Sequence, residues 1–127
     1  MRSSCKGLVD YIVDSYKYGV EVGIGHFPDV ALALMAAGVR VFATDIKPFL
    51  HQGLRVTVDD VTEPNRSLYA DVDFVYALRP PPELVPYMKD LASEVGASLM
   101  VKPLASEYPG GQLVRRENTT FFLWSNL

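Results

Sequence analysis

Short apolar segments with the composition of β-strands alternate with helical segments along this 127-residue chain. The first strand is predicted at residues 18–23. Two closely spaced glycines connect it to a helix at residues 28–37, which has proline in its first turn and Gly38 at its end. A second strand follows at residues 39–45. The order strand, helix, strand favours parallel strands joined by right-handed crossovers, which limits the chain to α/β architectures.

The rest of the chain extends this order and adds a different ending. Further strands are predicted at residues 54–58, 73–78 and 97–101, helices at 3–17 and 83–95, and a closing hairpin at 112–116 and 119–125. Because the connection at residues 46–53 is short and contains Pro48, we expect at most a turn of helix there. The helix at residues 28–37 is apolar almost all round, so we expect it to be buried between the sheet and other elements. We predict one doubly wound, mostly parallel Rossmann-like domain over residues 1–127, with five parallel strands plus a C-terminal hairpin.

Charge and cysteine content argue against several classes of protein. The net charge is −3, and the basic residues are scattered apart from Arg115-Arg116, which disfavours nucleic acid as the main partner. The single Cys5 cannot form an internal disulfide, and with two distant histidines, His26 and His51, no zinc-ligand spacing is present. No stretch approaches about 18 apolar residues. We therefore expect no metal, no membrane association and a cytoplasmic protein.

The two glycines lie where a sheet of this kind binds its ligand. In doubly wound sheets the ligand sits beyond the carboxyl ends of the strands, where the strand order reverses, which is normally the end of the first strand. Gly23 and Gly25 lie at that point, allow a sharp turn and let a ligand approach the backbone closely. The alternative is a tight strand-to-helix turn without a ligand.

An acidic residue at the end of the second strand strengthens the ligand hypothesis. Asp45 follows Gly23 by 22 residues, close to the spacing of about 20 expected for an acid that binds ribose hydroxyls. The alternative for Asp45 is a turn acid that precedes Lys47 and Pro48.

Glu21 helps to choose among ribose-bearing ligands. A dinucleotide favours a small residue three positions after Gly25 and no carboxylate nearby, whereas here that position is Pro28, followed by Asp29. A negative charge on Glu21, beneath the loop, disfavours a phosphate and attracts a cationic group such as an ammonium. S-adenosylmethionine carries an ammonium, a sulfonium and a ribose, and it has no phosphate. The alternative for Glu21 is a structural carboxylate that holds the glycine loop.

These residues resemble the first two motifs of class I S-adenosylmethionine-dependent methyltransferases, in which an acid stands two residues before the glycine loop. The whole chain is also similar to a small uncharacterised archaeal family with a truncated methyltransferase-like fold, through the stretches at residues 23–31 and 79–84. The resemblance implies S-adenosylmethionine as cofactor and an acid near the adenine at Asp59 or Asp60. The resulting set of cofactor-binding residues is Glu21, Gly23, Gly25, Phe27, Asp45 and Asp59.

Phe27 departs from the methyltransferase pattern, because it stands where a third loop glycine would be and its ring would occupy part of the cofactor cleft. Three further residues are weaker candidates for contacts with a substrate. His26 lies in the glycine loop, and Arg79 and Pro80 follow the fourth strand, where methyltransferases commonly hold the acceptor. The alternatives are local hydrogen bonding for His26, a helix start for the prolines, and pairing of Arg79 with Asp45 or Asp59.

The sequence thus predicts a protein that binds S-adenosylmethionine or a related adenosine ligand, or a minimal methyltransferase, with no catalytic residue assigned. One alternative is a non-catalytic binding or regulatory module, which joins a partner protein or dimerises through its terminal hairpin. A second alternative is a protein that binds a nucleotide of the NAD type. The region between Val101 and Gln112 has room only for a loop, which favours the non-catalytic module.

Overall fold

The computed structural model describes residues 5–104 and 108–125. Its helices are α1 (Lys6–Ser15), α2 (Asp29–Ala36) and α3 (Val85–Val95), and two 3₁₀ turns lie at Arg66–Tyr69 and Pro82–Leu84. Its strands are β1 (Tyr18–Val22), β2 (Arg40–Asp45), β3 (Val56–Val58), β4 (Phe74–Leu78), β5 (Ser98–Lys102), β6 (Gln112–Arg116) and β7 (Thr119–Trp124). The strands form one seven-stranded sheet in the order β3-β2-β1-β4-β5-β7-β6.

The sheet confirms the predicted α/β fold. β1 pairs in parallel with β2 on one side and with β4 on the other, so the strand order reverses at β1. The pairs of β2 with β3 and of β4 with β5 are also parallel, which gives five parallel strands. β7 is antiparallel to both β5 and β6, as expected for a C-terminal hairpin.

Two hydrophobic cores cover the two faces of the sheet. On one face, α1 and α2 bury apolar side chains such as Leu8, Ile12 and Leu34 against the sheet. On the other face, Met88 and Leu91 of α3 pack against strand residues, together with the 3₁₀ turn at Arg66–Tyr69. The layers leave the carboxyl ends of β1 and β4 open between them, which is where a ligand can enter.

Helix α2 is more exposed than its composition predicts. Val30, Ala31 and Leu34 are buried, but Leu32 is 36% and Met35 is 38% exposed. The prediction that this helix lies between the sheet and other elements, away from the surface, is therefore wrong. Apolar composition indicates burial only where enough neighbouring elements exist, and this short helix contacts mainly α1 and β2.

The remaining differences are local. Residues 46–53 contain no helix, which agrees with the expected limit of one turn, whereas the pattern does not predict the 3₁₀ turn at Arg66–Tyr69. The predicted beginning of the first helix, at residues 3 and 4, lies outside the described residues. Phe121, Phe122 and Leu123 of the hairpin are buried. β6 forms one edge of the sheet, where a second subunit could add a strand. Dimerisation through the hairpin stays a prediction.

Candidate functional site

A cleft of about 360 Å³ opens at the point where the strand order reverses. Its lining comes from the end of β1 and the following loop, the start of α2, the ends of β4 and β5, and Cys5. The predicted site residues among its lining are Glu21, Gly23, Gly25, His26, Phe27 and Arg79. Its volume lies within the range typical of sites for small molecules.

The two glycines are required by the backbone conformation of the loop. Gly23 has a φ of +76° and Gly25 a φ of +54°, and a Cβ atom at either position would meet nothing within 4 Å. Glycine therefore serves here to adopt positive φ, while the open space beside each Cα leaves the backbone accessible from the cleft. The amides of Gly23 and Ile24 both donate to the carbonyl of Thr44, at 2.9 and 3.2 Å, which ties the loop to β2.

Asp45 holds the same loop from the end of β2. Its Oδ2 accepts a hydrogen bond from the amide of Gly25 at 3.0 Å, and its Oδ1 accepts one from the amide of Lys47 at 3.0 Å. Asp45 is half-buried and does not line the cleft itself. A carboxylate oxygen can accept more than one hydrogen bond, so each oxygen keeps capacity for a ligand hydroxyl.

His51 also fixes the position of the glycine loop, a role that the sequence pattern does not predict. Its Nε2 lies 2.7 Å from the carbonyl oxygen of Gly25. Because a carbonyl only accepts, Nε2 must carry the proton. Phe49 stacks on His51 and meets the edge of the His26 ring at a centroid distance of 4.8 Å. No sequence spacing indicates these contacts, because the β2–β3 connection that supplies them has no regular structure.

Glu21 lies on the floor of the cleft and is 1% exposed. Its Oε1 accepts a hydrogen bond of 2.6 Å from the hydroxyl of Tyr76, its neighbour across β1 and β4. This is its only hydrogen bond within the described residues, where no fully buried side-chain N or O atom lacks a partner. Because Glu21 also lines the cleft, its carboxyl is within reach of a ligand bound there.

The surroundings of Glu21 favour its protonated form. Burial raises the pKa of Glu21 to about 8, against the lowering effect of the hydrogen bond from Tyr76. Burial and the neighbouring Glu21 together raise the pKa of Tyr76 well above its ordinary value. At neutral pH the free protein thus holds a mostly neutral carboxyl beside the glycine loop. A cationic ligand group would reverse that preference.

Two cations line the opposite side of the cleft. Lys102 is half-buried and its Nζ donates to the carbonyl of Thr120 at 3.0 Å. Arg79 has a φ of +51°, an uncommon and strained conformation for a residue with a side chain, and its amide donates to the carbonyl of Lys102 at 2.6 Å. Within the described residues its guanidinium has no ion pair. The structure therefore shows no pairing of Arg79 with Asp45 or Asp59.

The remaining predicted residues lie at the margin of the cleft or outside it. Phe27 is 58% exposed and forms part of the lining, so its ring does not fill the space. Pro80 is buried and faces a neighbouring groove. Asp59 does not line the cleft, because its carboxyl accepts from the hydroxyl of Tyr69 at 2.5 Å and from the amide of Asn65 at 3.1 Å.

The described residues contain neither a candidate metal site nor a helix that could span a membrane. No group of three or more His, Cys, Asp or Glu side chains within residues 5–104 and 108–125 is placed to hold a metal ion. No helix in the same part of the chain has the length and apolar character needed to cross a membrane.

The sequence matches a known family over almost its whole length. The profile of an uncharacterised protein family, UPF0146, matches residues 6–124. The chain belongs to UPF0146. It is 41% identical over 118 residues to a UPF0146 protein of Archaeoglobus fulgidus, covering 91% of each chain. It is 48% identical over 89 residues to a UPF0146 protein of Halobacterium salinarum, covering 69% of each.

Solved structures with low sequence identity share the fold of this UPF0146 protein. The sugar N-methyltransferase KedS8 from Streptoalloteichus is 10% identical with a TM-score of 0.60, and it matches 88% of this chain and 54% of its own. An S-adenosyl-L-methionine methyl transferase from Silicibacter pomeroyi is 12% identical with a TM-score of 0.57, covering 97% and 90%. Candidate Zn-dependent alcohol dehydrogenases from Rhodobacter sphaeroides are 14% identical with a TM-score of 0.63, covering 84% and 49%. The methyltransferase-like Rossmann fold is thereby confirmed.

Proposed function

We propose that this UPF0146 protein binds S-adenosylmethionine or a related adenosine ligand in the cleft, with the ligand ammonium on Glu21. The observation that carries the proposal is the buried carboxyl of Glu21, which is held by Tyr76 and lines the cleft. An ammonium is a strong hydrogen-bond partner for a carboxylate in a water-poor site. The neighbouring backbone at Gly23 and Gly25 is accessible to the rest of the ligand.

The charges around the loop support an adenosyl ligand over a dinucleotide. Glu21 lies beneath the loop, and Asp29 lines the cleft from the first turn of α2. A pyrophosphate would be placed at this helix N-terminus, where the Asp29 carboxylate would repel it, whereas a cationic group would draw Glu21 into its charged form. S-adenosylmethionine brings an ammonium and a sulfonium to the same place.

Asp45 and Phe27 complete the proposed binding set. Asp45 keeps lone pairs for ribose hydroxyls while it holds Gly25, and Phe27 offers an exposed ring at the rim. Asp59 would act indirectly, since its carboxyl is engaged by Asn65 and Tyr69 and its amide donates to the carbonyl of Asp45 at 3.0 Å. Asp59 would thus fix the end of β2 beside the ligand.

Methyl transfer is the chemistry that S-adenosylmethionine supplies when it is bound, by in-line displacement at the sulfonium methyl. This chain would contribute mainly positioning, through Glu21 and the glycine loop. His26 and Arg79, both at the cleft, would be the side chains nearest an acceptor. We further propose a cytoplasmic location, which fits the free thiol of the buried Cys5.

Isothermal titration with S-adenosylmethionine, S-adenosylhomocysteine and NAD tests the proposal. We expect the first two ligands to bind and NAD to bind at least tenfold more weakly. Glu21→Gln should weaken both adenosyl ligands by about 2 kcal/mol or more, roughly thirtyfold in Kd, because it removes a buried charge partner. Glu63→Gln, at an exposed carboxyl in the turn after β3, is the matched control and should change nothing. Equal binding by wild type and Glu21→Gln would contradict the proposed role of the carboxyl.

A non-catalytic binding module is the second candidate. It is favoured by length, because the chain spans about half the length of KedS8. The titration does not separate the two candidates, but an acceptor screen with methyl-labelled S-adenosylmethionine does. Transfer of label to any acceptor by the isolated protein would exclude the non-catalytic module.

A further inference from the structure

A second groove of about 360 Å³ lies beside the first cleft, at the carboxyl ends of β4 and β5. The two spaces share a thin wall. Arg79 and Lys102 line the first cleft, and the next residue of each segment, Pro80 and Pro103, lines the groove. The groove is again of a size typical for small-molecule sites. The proposed adenosyl site does not use it.

Five prolines contribute to the wall of this groove and make it rigid. They come from the β4–α3 connection, the start of α3, the end of β5 and the loop before β6: Pro80, Pro82, Pro86, Pro103 and Pro109. Proline has no amide N–H and almost no torsional freedom. Such a wall offers few hydrogen-bond donors, and it loses little entropy when an apolar surface packs on it.

Two aromatic rings form the other end of the groove. Trp124 is the only tryptophan of the chain, and it lines the groove together with Tyr108. The backbone of Gly111 packs so closely on the indole that a Cβ there would lie 2.8 Å from the ring. The hydroxyl of Tyr108 donates to the carbonyl of Gly111 at 3.2 Å, and its ring meets Phe122 edge-on at 5.2 Å. These contacts within the protein fix the positions of both rings, so the aromatic end of the groove is preformed.

Among the described residues, the lining of the groove carries one charge. Lys89, on the exposed side of α3, is the only charged residue among the described residues that line it, and no carboxylate does so. An apolar groove with a single cation at its margin complements a molecule with one anionic group. We propose that this groove binds a small, flat, largely apolar anion of the aromatic carboxylate or sulfonate class.

The test compares two dyes that differ by one charge, 8-anilinonaphthalene-1-sulfonate and the neutral N-phenyl-1-naphthylamine. Because Trp124 is the sole tryptophan, quenching of its emission and the shift of its indole N–H resonance report on this groove. We expect saturable 1:1 binding of the sulfonate with both signals. Lys89→Gln should weaken the sulfonate about threefold and leave the neutral dye unchanged. Lys17→Gln, an exposed control at the opposite end of the sheet, should affect neither dye.

A variant that fills the groove completes the test. Pro86→Phe, on an exposed lining position in the first turn of α3, should weaken both dyes at least tenfold with little change in melting temperature. If that variant fails to fold, Pro82→Phe on the preceding 3₁₀ turn takes its place. The proposal is overturned if the sulfonate leaves the Trp124 indole resonance unmoved, if it shifts Gly23 and Gly25 instead, or if Lys89→Gln weakens both dyes equally. None of these three outcomes bears on S-adenosylmethionine binding.

Discussion

The Glu21 carboxyl should make the stability of the free protein fall as pH rises. Its pKa is about 8 in the folded protein against an ordinary value of 4.5, so between these values the folded state holds a proton that the unfolded state has lost. The free energy of unfolding should therefore decrease with a slope of up to about 1.4 kcal/mol per pH unit in that window. Glu21→Gln has no proton to lose and should remove this contribution.

Urea unfolding at pH 5, 6.5 and 8 measures this pH dependence as the difference in unfolding free energy between wild type and Glu21→Gln. Glu21→Gln should gain stability over wild type as pH rises, while Glu63→Gln should follow wild type throughout. Parallel pH curves for wild type and Glu21→Gln would show that burial does not raise the pKa of this carboxyl.

The same carboxyl should link adenosyl-ligand binding to proton release. An ammonium binds the ionised carboxylate, so below pH 8 each ligand must displace the proton of Glu21. Affinity should fall roughly tenfold for each pH unit below about 8, and close to one proton should leave per ligand at pH 7. Calorimetric titration in two buffers of different ionisation enthalpy counts the protons. Binding without proton release would place the ammonium elsewhere.

At the scale of the element, Gly7 fixes how α1 sits against the hairpin. Its amide donates to the Thr119 hydroxyl at 2.8 Å, and a Cβ at Gly7 would lie 2.1 Å from the carbonyl oxygen of Arg116. Helix propensity alone predicts that Gly7→Ala stabilises by about 1 kcal/mol. Steric overlap with backbone should outweigh this gain and produce a net loss of about 2 kcal/mol or more.

Thermal and urea unfolding show whether Gly7→Ala raises or lowers the free energy of unfolding. Gly96→Ala is the comparison, because Gly96 has a φ of +73° but open space beside its Cα. Gly96→Ala should lose only about 1 kcal/mol of stability, which is the cost of placing a side chain at positive φ. A stabilised Gly7→Ala would mean that the helix and the hairpin do not pack as closely as described.

The elements were predictable to within a few residues because hydrophobic period and glycine or proline boundaries are local properties. The exposure of α2 was not predictable in this way. Leu32 and Met35 are exposed because no element covers them, and the local pattern does not encode which elements pack on a helix. The same limit applies to the site. Spacing indicated Glu21 and the glycine loop, whereas the contact of His51 with Gly25 depends on an irregular connection that only the folded chain defines.

At the scale of the whole molecule, the sheet brings together residues far apart in the chain. Reversal of the strand order at β1 places Glu21 beside Tyr76, and the ends of β4 and β5 bring Arg79 and Lys102 to the same cleft. The cleft thus has an acidic floor under the glycine loop and a basic opposite side. This division of charge suits a zwitterionic amino-acid group, whose ammonium and carboxylate can meet opposite walls.

The most direct test of the account is an amide chemical-shift titration with S-adenosylmethionine. We predict saturable shifts concentrated at Gly23, Gly25, Phe27 and Asp45, absent in Glu21→Gln at the same ligand concentration, with the Trp124 indole resonance unmoved. Millimolar ligand that leaves the glycine-loop amides unshifted in wild type would contradict the account.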